Sequence, residues 1–379
     1  MIVHVFNSTV VSGPETLVIP ALPRIGEKAA VVFLRESRCG DRALGLPAYA
    51  RSFGLETIEI VVRSRLDPKA VSELRKVLTK LSPRIVHAHD QKPSAYVAAA
   101  SPKNRSYHIV TTDHGVRAKK AWKLWLYEWI YARFVMPRFD RVLTVCRSDR
   151  ELLINRGVPA EKVHVHVNGV DRPKVPAERR SEESVRIRTA WELGSRGVDG
   201  KAICLGLVGR LAPEKRHSFV LHVMRELVSR RPDLDIHLVV FGIGQLAEVL
   251  ASETRELGLE KRVHWMGYRN TVGAETAGFD LLLSLSFAEG LPINIVEAGW
   301  AGTPVFATAV DGILDLVPSA EYGTLVDPGA SETEVAEKLA QTLSDPAALK
   351  RSGVRLQQRV EEFFSGKIWI QRLLEVYLF

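Results

Sequence analysis

Apolar residues in this chain fall into short runs separated by longer polar or amphipathic stretches. The first series lies at 3–6, 29–34, 57–62, 85–88, 109–112, 142–145 and 163–167. Runs this short, rich in β-branched residues and bounded by polar ones, predict buried strands, and the intervening segments have room for helices. Strands alternating with helices imply a parallel, doubly wound sheet. After Asp171 the pattern lapses into Arg172-Pro173-Lys174-Val175-Pro176-Ala177 and a charged segment that continues to Gly200, which predicts an exposed connection. A second series follows at 203–208, 236–241, 263–266, 281–285, 305–307 and 324–326. We therefore expect two Rossmann-like domains, at 1–172 and 201–365, joined by a linker at 173–200. Ile368, Trp369, Ile370, Leu373, Leu374 and Tyr377 then repeat at helical spacing and predict a closing helix within 366–379.

Composition changes little in this picture. A chain of 379 residues exceeds what one core usually supports, and 46% hydrophobic with 25% charged residues is ordinary for a globular protein. Cys39, Cys146 and Cys204 are far apart, lie near apolar runs and show no metal-like spacing, so reduced thiols and a cytoplasmic location are expected. No apolar run approaches the roughly 18 residues that span a bilayer. The N-terminus enters a strand without a basic leader. Charge is more informative. Residues 1–172 carry 28 Lys and Arg against 16 Asp and Glu, a net +12, whereas the remainder carries 24 against 28, a net −4. The basic half should meet an anionic partner. Its positive residues are dispersed and accompany no recognition motif, so that partner is not expected to be nucleic acid.

The chemistry concentrates in residues 287–308, Phe-Ala-Glu-Gly-Leu-Pro-Ile-Asn-Ile-Val-Glu-Ala-Gly-Trp-Ala-Gly-Thr-Pro-Val-Phe-Ala-Thr. The order is strand, tight loop, helix, with Pro292 at the helix start, where a missing N–H costs nothing. Glu289 lies in the loop, Gly290 lets backbone approach a ligand, and Glu297 sits about a turn and a half into the helix. Exposed N–H groups and the positive end of the helix dipole suit a phosphate, while carboxylates accept from sugar hydroxyls. A nucleotide sugar combines the two. Arg210 and Lys215 share a second loop after a strand, in Gly209-Arg210-Leu211-Ala212-Pro213-Glu214-Lys215, and two cations there can clamp a diphosphate.

Glu, seven residues, Glu, with Gly after the first and Ala-Gly after the second, resembles the signature of retaining GT4-type glycosyltransferases of the GT-B fold. The resemblance covers nearly the whole chain. It implies two Rossmann-like domains facing a central cleft, with the last helix crossing back to the first domain. It also implies roles. Arg210, Lys215 and the amides of Gly290 and Leu291 would neutralise the leaving diphosphate, Glu297 would hold the ribose, and the region of Tyr268 would hold the base. His114, in Thr111-Thr112-Asp113-His114-Gly115, matches a histidine that contacts the donor sugar. Gly13, in Ser12-Gly13-Pro14-Glu15, matches a glycine-rich loop but stands alone where the family usually has a pair, and Pro14 lacks a donor. In Asn168-Gly169-Val170-Asp171 the resemblance implies a hinge turn before the second domain.

The expected reaction is metal-independent transfer of a hexosyl group from a UDP- or GDP-sugar to a hydroxyl, without a cofactor. The one Asp-x-Asp sequence, Asp233-Leu234-Asp235, precedes a strand instead of following one, so it is not placed to carry a cation. Glu289 could act as a nucleophile or as a ligand for sugar hydroxyls. His87 and His89 alternate onto one strand face, as acceptor-side groups or as histidines satisfied by backbone; no third metal ligand stands at a recognisable spacing. A GT-B epimerase or phosphorylase, or a non-catalytic nucleotide-sugar-binding protein, is the alternative. Finally, residues 117–141 interleave basic residues with Trp122, Trp125, Trp129 and Phe134. Such a stripe either packs on the core or meets the headgroups of the inner membrane face, where a lipid-linked or polysaccharide acceptor would be delivered.

Overall fold

The computed structural model describes residues 1–7, 13–37, 45–64, 67–115, 127–172, 180–194, 198, 202–269 and 272–379. They form two compact units, Met1–Gly169 with Gly366–Phe379, and Val170–Ser365.

The first unit is a seven-stranded parallel sheet of β1 (Ile2–Phe6), β2 (Ala29–Glu36), β3 (Glu56–Val62), β4 (Ile85–His89), β5 (His108–Asp113), β6 (Arg141–Thr144) and β7 (Val163–Val165), in the order β3-β2-β1-β4-β5-β6-β7. Every residue of β1 and β4 is buried, as expected of strands covered on both faces. Period-two alternation divides the apolar residues between two cores. Val3, Val5, Val32 and Val86 pack with Leu74 and Leu78 of α2 (Pro68–Leu81) and Val97 of α3 (Gln91–Ala100). Ile2, Phe6, Val31, Phe33 and Ile85 pack with Val18 and Ile19 of α1 (Gly13–Ala21). Asp67 starts α2 by accepting from the Lys69 and Ala70 amides at 3.0 and 3.3 Å.

The second unit holds β8 (Ile203–Val208), β9 (Ile236–Phe241), β10 (Val263–Gly267), β11 (Leu281–Ser284), β12 (Val305–Thr308) and β13 (Thr324–Val326), all parallel, in the order β10-β9-β8-β11-β12-β13. The sequence of strands reverses between β1 and β4 in one unit and between β8 and β11 in the other. Loops leaving the C-terminal ends of such strand pairs diverge and open a crevice, the usual ligand position in doubly wound sheets.

The segment read as an exposed linker differs from that expectation where it is described. Residues Arg180–Ala190 form a helix, α4. The Arg188 guanidinium bonds the Gly278 carbonyl at 2.8 Å and pairs with Asp280 at 2.8 Å. Trp191 is buried against Phe241 and Phe279, and its indole N–H donates to Glu275. Trp191, Arg188 and Ile187 dock this segment at Gly278, and they leave no periodic apolar signal. Residues 173–179 lie outside the described set.

Further helices are α5 (His217–Arg230), α6 (Ile293–Ala301), α7 (Asp311–Leu316), α8 (Pro346–Phe363) and α9 (Gly366–Val376). Trp369, Ile370 and Leu373 of α9, with Tyr377 beyond it, are buried in the α1-side core of the first unit.

Candidate active site

In the second unit, the switch point is built by the loops after β8 and β11. Asn294 on α6 donates to the Val208 carbonyl at 2.9 Å, which ties the start of α6 to the end of β8. Pro292 is the N-cap residue of α6, one position earlier than the helix-start signal suggests, and no side chain among the described residues caps the helix. The positive end of the helix is therefore available to an anion.

Lys215 and Glu289 meet here. Their Nζ to Oε1 distance is 2.6 Å, and the two side chains are only 18% and 5% exposed. The stem of Lys215 lies along Gly209, whose hypothetical Cβ would sit 3.5 Å from Cε. The Glu289 amide donates to Asp311 at 3.2 Å, and Asp311 itself holds a left-handed φ of 37°. Strain of that kind persists only where the surroundings hold it, and it gathers at functional sites. Gly312 is required by closeness: a Cβ there would stand 1.8 Å from the Gly290 carbonyl oxygen. Thus α7 is pressed directly against the Glu289 loop. Leu291 is buried beneath it.

Arg210 lies on the same loop as Lys215 but is 68% exposed and paired with Glu214 at 2.8 Å. The structure does not turn it toward Glu289. Arg216, at a left-handed φ of 53°, lies over the rings of Phe219 and Phe287, 3.7 and 4.2 Å from their centroids. Beside it, His217 is buried with neither ring nitrogen partnered among the described residues, and burial pushes its imidazole down to about 4. The sequence drew no attention to Arg216, His217 or Asp311.

Glu297, the fifth residue of α6, is half-buried, has no side-chain hydrogen bond among the described residues, and its carboxyl is pushed up to about 7 by burial. Gly273 stands against it; a Cβ there would be 2.9 Å from Oε1. Tyr268 is exposed.

In the first unit, Gly13 heads α1 and residues 8–12 before it lie outside the described set. His114 follows β5. Its amide donates to Asp90 Oδ1 at 3.3 Å, its Nε2 contacts His89 Nδ1 at 3.1 Å, and its Nδ1 is buried without a partner among the described residues. Asp90 takes a strained φ of 67° at the end of β4. The neighbouring Asp113 is pushed up to about 8, first by burial and then by the nearby Asp90 carboxylate. Where the sequence showed no third histidine for His87 and His89, the structure supplies His4, paired in register with His87 across β1 and β4. Asp233 and Asp235 are committed to Arg231 and Arg262 at the entry to β9, the opposite end of that strand from the ligand loops.

Lys215 at Glu289, and a helix N-terminus with Glu289 before it and Glu297 within it, can hold a phosphorylated, hydroxyl-rich ligand, and together with two doubly wound units they fit the GT-B class of group-transfer enzymes. Residues 194–359 match the family "Glycosyl transferases group 1" and residues 21–173 match "Glycosyltransferase Family 4". The chain belongs to this GT4-type family of glycosyltransferases. Among its relatives, an Escherichia coli UDP-Gal:alpha-D-GlcNAc-diphosphoundecaprenol alpha-1,3-galactosyltransferase is 26% identical over 284 residues, 73% of this chain and 71% of that protein. The putative glycosyltransferase EpsF of Bacillus subtilis is 25% identical over 360 residues, 92% and 88% of the two chains. The crystal structure of Anabaena HepE in complex with UDP superposes with a TM-score of 0.83 at 19% identity, covering 99% of this chain and 98% of that one.

Proposed function

We propose that this glycosyltransferase is a retaining enzyme that moves a hexosyl group from a nucleoside-diphosphate sugar to a lipid-linked glycan acceptor, without a divalent cation. The observation that carries the reading is the buried Lys215–Glu289 contact beside the uncapped start of α6. As the diphosphate departs, negative charge grows where Lys215 and the helix dipole already point, the kind of preorganised stabilisation that lowers a barrier most. Arg210 would leave Glu214 and join them when the diphosphate arrives. Glu289 receives sugar hydroxyls, Glu297 receives the ribose, and His114 contacts the donor sugar. Asp233 and Asp235 are committed elsewhere, so the cation work falls to Lys215 and Arg210.

UDP is the favoured nucleotide, because HepE was crystallised with UDP and with UDP-glucose and the E. coli relative is named for UDP-Gal. That relative's name also supports a polyprenyl-diphosphate-linked acceptor. A membrane surface would deliver such an acceptor. In the stripe at 117–141, residues 116–126 lie outside the described set, but Trp129, Ile130 and Phe134 are exposed while Tyr131 and Ala132 are buried.

The test is an assay of purified protein with UDP- and GDP-sugars and a GlcNAc-diphosphoprenol acceptor, with the anomeric configuration of the product read by NMR. Retention, with transfer persisting in excess EDTA, is expected. An inverted product, or activity lost to EDTA and restored by magnesium or manganese, overturns the reading. Epimerised donor formed without acceptor would favour the epimerase.

A further inference from the structure

Six polar side chains of the first unit form one unbroken series. Thr112 Oγ1 is 2.7 Å from His87 Nε2, and His87 Nδ1 is 2.6 Å from the Tyr377 hydroxyl. That hydroxyl is 3.4 Å from His4 Nε2, His4 Nδ1 is 2.9 Å from His89 Nε2, and His89 Nδ1 is 3.1 Å from His114 Nε2. The last nitrogen, His114 Nδ1, is buried and has no partner among the described residues. We propose that this series fixes His114 as its Nε2–H tautomer, leaving the Nδ1 lone pair to accept a hydrogen bond from a substrate hydroxyl. The use of that lone pair rests on the transferase reading above; the tautomer itself does not.

The direction of the series follows from distance and proton count. Burial holds His4 down to about 3 and His87 and His89 well below the usual imidazole range, so each ring is neutral and carries one N–H and one lone pair. Of the two groups in the 2.6 Å contact the phenol is the stronger proton donor and the imidazole nitrogen the stronger acceptor, and the distance lies in the range of hydroxyl donors. Tyr377 therefore donates to His87 Nδ1, and His87 donates from Nε2 to Thr112. The single phenolic proton is then committed, so the Tyr377 oxygen can only accept from His4 Nε2–H. Each following ring must accept at Nδ1 and donate from Nε2, as far as His114.

The ends are held firmly. Phe6 stacks on the His89 ring with centroids 4.1 Å apart and planes 5° from parallel. Arg84 donates to the Tyr377 carbonyl at 2.8 Å, and Arg141 to the carbonyls of Val376 and Leu378 at 2.6 and 2.7 Å. These arginines satisfy helix C-terminal carbonyls and hold Tyr377 in place. A metal is the competing use, since ligand atoms of His4, His87 and His89 lie within 4.8 Å of one another. Both nitrogens of His87 already face hydroxyls, however, and His4 and His89 contact each other directly, so their lone pairs do not converge on an ion.

Nitrogen-15 NMR of histidine-labelled full-length protein reads the tautomer without substrate, with His114 assigned by the signals lost in His114→Gln. A protonated Nε2 and a bare Nδ1 are expected at neutral pH. Tyr377→Phe should move His114 toward a tautomer mixture and lower kcat about tenfold, with donor KM within about twofold, the effect of one misdirected hydrogen bond. His4→Phe breaks the series one link later and serves if Tyr377→Phe folds poorly. A His114 tautomer identical to wild type in the folded variant overturns the proposal. So does stoichiometric binding of added zinc(II) that shifts His4, His87 and His89 together. Absence of sugar transfer by the wild type would instead count against the transferase reading, and it leaves the NMR result intact.

Discussion

Glu297 shows how one carboxyl can report on its own occupancy. Its folded pKa is raised from 4.5 to about 7 by burial, so the stability that comes with its proton is present at acid pH and lost as pH rises through about 7. Glu297→Gln removes that loss, and above neutral pH the variant should be more stable than wild type, by on the order of 2 kcal/mol in denaturant melts. Ribose hydroxyls donate to the ionised form. Calorimetric donor affinity should therefore climb with pH, by up to about tenfold per unit below 7, and level off above it. A flat profile would remove Glu297 from the ribose. Lys215→Ala should reduce kcat by about 100- to 1,000-fold and leave the buried Glu289 without its cation, at roughly 3–5 kcal/mol. Adding Glu289→Ala should return part of that stability, and a double-mutant cycle measures the share. Lys215, Glu289 and Glu297 are legible in the sequence because each lies in a local motif. Asp311, His4 and Tyr377 are not, because their partners stand far away along the chain: His4 and Tyr377 are 373 residues apart.

At the scale of elements, the thirteen strands among the described residues are legible because the sheets are parallel and the inner strands are covered on both faces, which makes strands such as β1, β9 and β11 short, largely apolar runs. The helix at Arg180–Ala190 is not, since Trp191 and Arg188 dock it without a periodic stripe. Contacts between backbones are also hidden from sequence. Gly312 reads as an ordinary residue until α7 is seen against the Gly290 carbonyl. Gly312→Ala should push the Glu289 loop away, costing several kcal/mol in melts, in the manner of an overpacked core site. Turnover should fall further than nucleotide affinity. Wild-type kcat in that variant would mean that the loop tolerates the displacement.

For the molecule as a whole, the charge division matters most. A first domain at net +12 with Trp129, Ile130 and Phe134 exposed should bind vesicles containing anionic lipid, and weaken as salt rises. Replacing Trp129 and Phe134 with serine should reduce sedimentation at every salt concentration. Equal, negligible binding to anionic and neutral vesicles would favour an acceptor met in solution. The placement of α9 carries a further consequence, for the order in which the protein is made. Trp369, Ile370, Leu373 and Tyr377 complete a core whose other residues are all synthesised before Val170. At about 5–20 residues per second, the ribosome needs on the order of tens of seconds to make the second unit between them. Throughout that interval the nascent first unit presents an open apolar face and an imidazole series without its tyrosine, so it is exposed to chaperones until α9 has been made.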